Sequence, residues 1–407
     1  MNDKIHQKYP ASVQHGKPRL APLKEGWSRL SISELVKEGS RPVVMEDDEL
    51  YTLVTAKRSR GGIVEREKLK GKDIAVKNQF YIREGDFLIS KRQIVHGACG
   101  FVPKQLEGAI VSNEYLVLNF TDKVIPEFWN FLSHTVSFQQ ICFHSSIGVH
   151  IEKMLFRVEQ WYYWKINIPS LEEQEKIVSF LGAVDMRLNQ LRHKRELLQT
   201  YKRGVMQKLF SQEISFKGAI GSSFPDWERK KLGEIASFFS GGTPSSTEAI
   251  YYLGEIPFIK SGEISSAKTE QHLSKKGLEN SSAKIVEVDD LLYALYGATS
   301  GEVAISKIKG AINQAVLCIR SKAHKTIFLF NYLKSQKNTI TGRYLQGGQG
   351  NLSAEIMKGL IVPIPCIAEQ EKIANFLTAI DRKIEAISRQ IDECDRFKQG
   401  LLQKMFV

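Results

Sequence analysis

Between residues 168 and 210 the apolar positions step by four and three, or by seven where one slot is skipped: Ile177, Leu181, Val184, Leu188, Leu191, Leu198, Val205 and Leu209. The same stepping returns between 364 and 406, as Ile373, Leu377, Ile380, Ile384, Ile387, Ile391, Cys394, Leu401 and Met405. This spacing lays one apolar stripe along each of two helices and reads as a coiled-coil seam. Lys202 and Lys398 break the stripe at the same slot in both. Glu172, Glu173, Glu369 and Glu371 fill the first turns, where carboxylates suit the positive end of the helix dipole. At 1.5 Å per residue, a stretch of this length gives a rod on the order of 50–60 Å. Such a rod outruns a single small domain, so the two are expected to pack on each other.

The two stretches are one sequence written twice. Aligned without a gap, 168–210 and 364–406 are identical at 16 of 43 positions, among them Ile-Pro, Glu-Gln-Glu-Lys-Ile, Phe-Leu and Gln-Lys. What precedes each helix also corresponds. Trp27 and Trp227 open the two stretches, and "EGDFLIS" (84–90) parallels "VDDLLYA" (288–294) as an alternating strand. "EGAIVSNEYLVL" parallels "KGAINQAVLCI", both reading as paired strands, and "FWNFLSH" (128–134) parallels "LFNYLKS" (329–335) as helices. The expected organisation is a polar tail (1–22), a globule (23–167), a central helix (168–217), a Gly/Ser linker (218–225), a second globule (226–363) and a C-terminal helix (364–407). The fold class is α+β: two mixed α/β globules in tandem, separated by two long helices packed as an antiparallel coiled coil with pseudo-two-fold symmetry.

Composition narrows the function. The 407 residues are 42% hydrophobic and 25% charged, as in a globular chain, with no apolar run of membrane-spanning length. The start lacks a secretory core, and five scattered cysteines form no C-x-x-C pair, so a reducing cytoplasm is expected. The net charge of +12 is spread over both halves, as in a molecule that contacts polyanion along its length. Two globules on such a frame would read two half-sites of duplex DNA across an uncontacted spacer. Having diverged in sequence, they should read different half-sites.

With these residues in place, the chain resembles the specificity subunits of type I restriction–modification systems. The likeness rests on "IPSLEEQEKIVSFLGAVD" and "IPCIAEQEKIANFLTAID", and on "WERKKLGEIASFFSGGTPSS", "IPFIKSGEI", "YGATSGEVAI", "INQAVLCI" and "GGQGNLS" in the second half. The first globule departs from that pattern, with "KRQIVHGACGFV" and "SSIGVHIEKM" at the corresponding places. The resemblance implies two target-recognition domains on spacer helices and a chain that is not itself an enzyme and holds no cofactor. It also implies two methyltransferase subunits as partners, with restriction–translocation subunits in the full complex. S-adenosylmethionine, ATP and Mg would belong to those partners.

Base reading needs side chains that reach groove edges, and phosphate anchoring needs Lys, Arg or backbone amides. In the second globule the candidates are Thr299 and Ser300 between Gly297 and Gly301, Asn313 and Gln314, and the polar set Arg343, Gln346, Gln349 and Asn351. Lys260, Lys275 and Lys276 suit phosphates. In the first they are Lys57, Arg58 and Arg60 of "KRSR", then Lys91, Arg92, His150 and Lys153. "WYYW" (161–164) could stack on bases but is better read as core before a strand. Arg192, Lys194, Arg195, Lys202 and Arg203, with the matched ends "GVMQKLF" and "GLLQKMF", are candidates for docking a partner.

Other chemistry is opposed by spacing. "PDWERK" sets Asp226 and Glu228 too close for a nuclease metal site, "GGQG" lacks a dinucleotide-binding context, and no Walker phosphate loop exists. Cys142, His144 and His150 lack metal-ligand spacing, and "EDDE" (46–49) reads as a solvated acidic turn. Two alternatives to the DNA reader stay open: a coiled-coil scaffold without DNA contact, and a single-chain nuclease or methyltransferase.

Overall fold

A computed structural model describes residues 10–218, 221–345 and 351–406. Two compact units make it up. Of the described residues, the first holds those up to 191 together with those from 390 on, and the second holds those between 192 and 389. Each long helix, Leu171–Phe210 and Ile367–Phe406, is therefore shared, giving one half to each unit.

The first unit is built of two four-stranded sheets and a helical layer. One sheet orders its strands Val36–Glu38, Tyr115–Phe120, Phe87–Ser90, Cys99–Phe101, all antiparallel. The other orders them Ile63–Lys70, Leu50–Ala56, Ile110–Ser112, Gln79–Tyr81, with one parallel contact between Leu53 and Ile110. The second unit repeats the plan. Its sheets are Ala236–Ser240, Val316–Ser321, Leu291–Ala294, Val303–Ile305, and His272–Leu273, Ile256–Ile259, Gly310–Ile312, Lys284–Val286, again with one parallel pair, Ile256–Ile259 with Gly310–Ile312.

The alternation read in "EGDFLIS" and "VDDLLYA" explains the layering. Successive strand side chains point to opposite faces. Phe87 and Ile89 join the core against the helices, whereas Leu88 joins the core between the sheets. Leu291 and Tyr293 do the first job in the second unit, and Leu292 and Ala294 the second. Both strands are buried at every position because each is covered on both faces. The paired-strand reading of "EGAIVSNEYLVL" and "KGAINQAVLCI" needs correction. Ile110–Ser112 and Tyr115–Phe120 lie in different sheets, as do Gly310–Ile312 and Val316–Ser321. The short turn between them carries the chain from one layer to the other instead of closing a hairpin.

Each globule is sewn to its helix by the repeated motif. A two-stranded ribbon, Trp27–Ser31 with Lys165–Pro169 or Glu228–Lys231 with Ile361–Ile364, leads into the helix. Trp27 Nε1 donates to Glu173 at 3.2 Å, and Trp227 Nε1 donates to Glu369 at 3.0 Å. Gln174 is fully buried; it accepts from the amide of Ile125 and donates to the carbonyls of Lys123 and Pro169. Gln370 likewise accepts from the amide of Lys325 and donates to the carbonyl of Pro365. The Glu-Gln identity is thus a joint between globule and helix. Gln370→Ala strands these buried backbone groups and should cost the second unit about 2–3 kcal/mol, at ~1–3 kcal/mol per unsatisfied group. Denaturant unfolding of the full chain reads this loss, and an unchanged midpoint would refute the joint.

The apolar stripe is the buried face along most of both helices. Ile177, Leu181, Leu188 and Leu191 are buried, as are Ile373, Leu377, Ile380, Ile387 and Ile391, while Val184, Leu198 and Ile384 are half-buried. It fails near the C-terminal ends, where Met206 and Leu402 are buried in place of Val205 and Leu401. A straight helix of 3.6 residues per turn drifts from a 3.5-residue stripe, and these ends pack on a globule as well as on the other helix. Within each unit the two helix halves run antiparallel. Asp185 meets Lys398 while Leu181 shares a core with Leu402, and Asp381 meets Lys202 while Leu377 shares one with Met206.

Candidate nucleic-acid interface

In the second unit the strand ends bring most of the candidates to one place. Lys260 follows the strand Ile256–Ile259, whose parallel neighbour ends at Ile312, just before Asn313 and Gln314. Leu295, opening the loop to Thr299 and Ser300, donates its amide to Ala315 and accepts from Leu352, next to Asn351. Gly301 closes that loop at φ +83° against the helix Lys337–Leu345, where a Cβ would stand 2.6 Å from Thr341 Cγ2. Lys337 pairs with Glu302 at 2.5 Å across the same contact. Arg343, on this helix, is exposed and lies over the Tyr344 ring. Lys275 and Lys276 are not brought to this cluster. They follow the strand His272–Leu273, which pairs with the far end of Ile256–Ile259. Gln346 and Gln349 lie outside the described residues.

Several of these side chains already have structural work. Asn313 Oδ1 accepts from the Ala315 amide, closing its own turn, and Gln314 Oε1 accepts from Thr243 Oγ1 at 2.6 Å. Ser300 Oγ donates to the Leu295 carbonyl. Thr243 was missed by reasoning from the sequence, although its preceding glycines carry the signal. A Cβ at Gly241 would stand 1.7 Å from the Ile312 carbonyl oxygen, so this segment must lie flat on the strand end.

In the first unit the corresponding strand ends gather "KRSR", 91–97 and 150–153. Ser59 and Arg60 adopt left-handed backbone, at φ 56° and 59°, and donate their amides to the carbonyls of His96 and Gly97. Arg60 also donates to the His134 carbonyl. Lys91 accepts from the Phe156 amide through its backbone and donates through Nζ to the Asn113 carbonyl. Lys57, His150 and Lys153 are exposed around this patch.

Acidic partners hold two of the arginines. Arg58 pairs with Glu152 at 2.5 Å, and Arg92 grips both oxygens of Glu114, at 2.7 and 3.2 Å. The guanidinium hydrogen bonds hold Glu152 and Glu114 below the usual carboxylate range. His96 is buried beside this network, with Ser12 Oγ 3.3 Å from Nδ1 and Glu152 Oε1 3.3 Å from Nε2. Burial, then the Arg58 charge, lowers its pKa, while Glu152 acts against them. The segment from Pro10 onward lies along this globule, with Val13 buried and the Gly16 carbonyl 3.1 Å from His144 Nε2.

Three of the four aromatic residues at 161–164 join the core. Trp161 is fully buried and packs edge-on against Trp129 and Phe138, while Tyr163 is exposed. The acidic turn 46–49 is tied by Tyr51, which accepts from the Glu46 amide and donates to Glu49. Among the described residues no group of three or more His, Cys, Asp or Glu could hold a metal ion, and no helix is long and apolar enough to cross a membrane.

Comparison with known proteins agrees with this architecture. The chain is 25% identical to the specificity subunit of the type I restriction enzyme MjaVIII of Methanocaldococcus jannaschii, over 93% of this chain and 91% of that one. It shares its fold with a chain from a type I restriction–modification system, at TM-score 0.62 and 20% identity, covering 95% of this chain and 99% of that one. It also shares it with the S subunit of the type I system of M. genitalium, at TM-score 0.59 and 17% identity, covering 96% and 99%. A family model, the type I restriction modification DNA specificity domain, matches residues 24–199 and again 225–395. The two matches take in both globules and most of both helices, and the chain accordingly belongs to the type I restriction–modification DNA specificity family, carrying its domain twice.

Proposed function

We propose that each recognition domain reads one half of an asymmetric, bipartite duplex target, and that the paired helices set the spacer and dock two methyltransferase subunits. The observation that carries this reading is one scaffold with two different surfaces. The same strand ends are gathered in both units, but they present Arg58, Lys91, Arg92 and Lys153 in the first and Lys260, Thr299, Gln314 and Asn351 in the second. A shared backbone plan with unlike side chains is what two readers of unlike half-sites need. The exposed face of the central helix, with Arg192, Lys194 and Arg203, is the docking surface for the partners; Arg195 is half-buried and Lys202 is buried against the other helix, so neither belongs to that face. Restriction–translocation subunits join them in the full complex. Methylation with S-adenosylmethionine and ATP- and Mg-dependent cleavage belong to those subunits, and the assembly works in the cytoplasm on cellular and incoming DNA.

Modified adenines mapped across the genome, with and without this gene, test the proposal. Deletion should erase one asymmetric bipartite motif, and returning the gene should restore it. An unchanged map, together with duplex binding that does not weaken as salt rises, would favour a scaffold that touches no DNA.

A further inference from the structure

Apart from Arg195, the seam of the two helices is apolar except at one slot that both share, and that slot holds a charge pair in each unit. Lys202 is only 8% exposed, and its Nζ stands 2.6 Å from both carboxylate oxygens of Asp381. Lys398 is 18% exposed, 2.5 Å from Asp185 Oδ1 and above the ring of Phe131. The pairs are reciprocal under the duplication: Asp185 corresponds to Asp381 and Lys202 to Lys398. Each helix thus contributes an aspartate to one pair and a lysine to the other, and Asp and Lys are equally far apart on both helices.

We propose that these two Asp–Lys pairs are the register lock of the helix pair. Equal Asp-to-Lys spacing lets both pairs close together in one antiparallel register. A parallel alignment would set Asp against Asp and Lys against Lys. An antiparallel slip by one heptad would keep the heptads in phase, yet part both lysines from their aspartates; in the direction that brings Leu188 to Leu402, Lys398 would face Arg192 and Lys202 would face Ser388. A buried ion pair adds little net stability over apolar packing, but an unpaired buried charge is strongly unfavourable. A single polar residue in a coiled-coil seam is known to specify register in this way, at a cost in stability. Each globule brings a further titratable side chain near its pair, His134 in the first unit and Lys334 in the second, both at the end of a globular helix. The lock rests on the proposed function only for its consequence, a fixed spacer; the register itself is measured without DNA.

The test uses the full chain with engineered cysteine pairs. Leu181→Cys with Leu402→Cys bridges the helices in the native register, each position being four residues from the Asp185–Lys398 pair. Leu188→Cys with Leu402→Cys bridges only after a one-heptad slip. The parent chain should form the first disulfide and not the second. Adding Lys202→Met and Lys398→Met should leave folding and thermal stability intact or raised, and allow both disulfides. Exclusive formation of the native disulfide in that variant would overturn the lock. Should the Met variant fail to fold, charge reversal decides. Asp381→Lys alone should lose exclusivity and adding Lys202→Asp should restore it, whereas no rescue would count against the proposal.

Discussion

Removing four residues from matched places in both long helices is expected to shorten the spacer of the recognised target by one or two base pairs and to leave both half-sites unchanged. Four helical residues span about 6 Å and turn about 40° beyond one full rotation. One base pair of duplex advances about 3.4 Å along the axis and turns about 35°, so one base pair matches the rotation and two match the translation. The charge pairs add a condition. A matched deletion shortens the Asp185–Lys202 and Asp381–Lys398 separations equally, so both pairs still close. The same deletion in one helix alone makes those separations unequal, leaves one lysine unpaired in the seam, and should cripple recognition at every spacing. Modified-adenine maps of the two variants separate these outcomes. Altered half-sites with an unchanged spacer would show that the helices do not measure distance.

Much of this architecture was legible in the sequence because it is written twice. Chance similarity does not preserve a 4-3 stripe, a polar break and a Glu-Gln pair at one offset, so the helices and their joints stood out. The alternation at 87–90 and 291–294 gave the strands, although strands buried on both faces say nothing about which neighbour they pair with. That is why the short turn at Asn113 and Glu114 read as a hairpin, while the chain in fact crosses between sheets. The polar break at Lys202 was visible, but its partner was not: Asp381 lies 179 residues away, and a single stripe does not reveal the register of its antiparallel mate. The interface shows the same limit. Basic residues in loops could be named from type and spacing, whereas Glu152, 94 residues from Arg58, becomes its partner only through the fold. Lys275 and Lys276 had the right chemistry and the wrong end of a strand.

Replacing the second globule, from Trp227 to Pro365, by the first, from Trp27 to Pro169, should give a folded chain whose two half-sites are the same sequence. The graft is expected to work because the joints are the same on both helices. An indole at the globule entrance donates to the first-turn glutamate, a buried glutamine clamps the loop before the globular helix, and an antiparallel ribbon feeds the Ile-Pro step. The helix faces beneath are alike too: Ile177 and Leu181 under the first globule match Ile373 and Leu377 under the second. The graft leaves behind the segment from Pro10 that lies along the first globule, and at the helix seam one contact must be rebuilt. Lys334 is lost from beside Lys202 and Asp381 and His134 comes in with the graft, a group that burial, Lys398 and Arg60 push down to about 4 in its own unit. The Lys202–Asp381 pair is complete without it and should persist. A modified-adenine map would show the half-site read by the second globule gone and the other present twice, at the original spacing. Retention of the original asymmetric target would mean that half-site identity is not carried by the globules, and the assignment of base reading to their strand ends would fall with it.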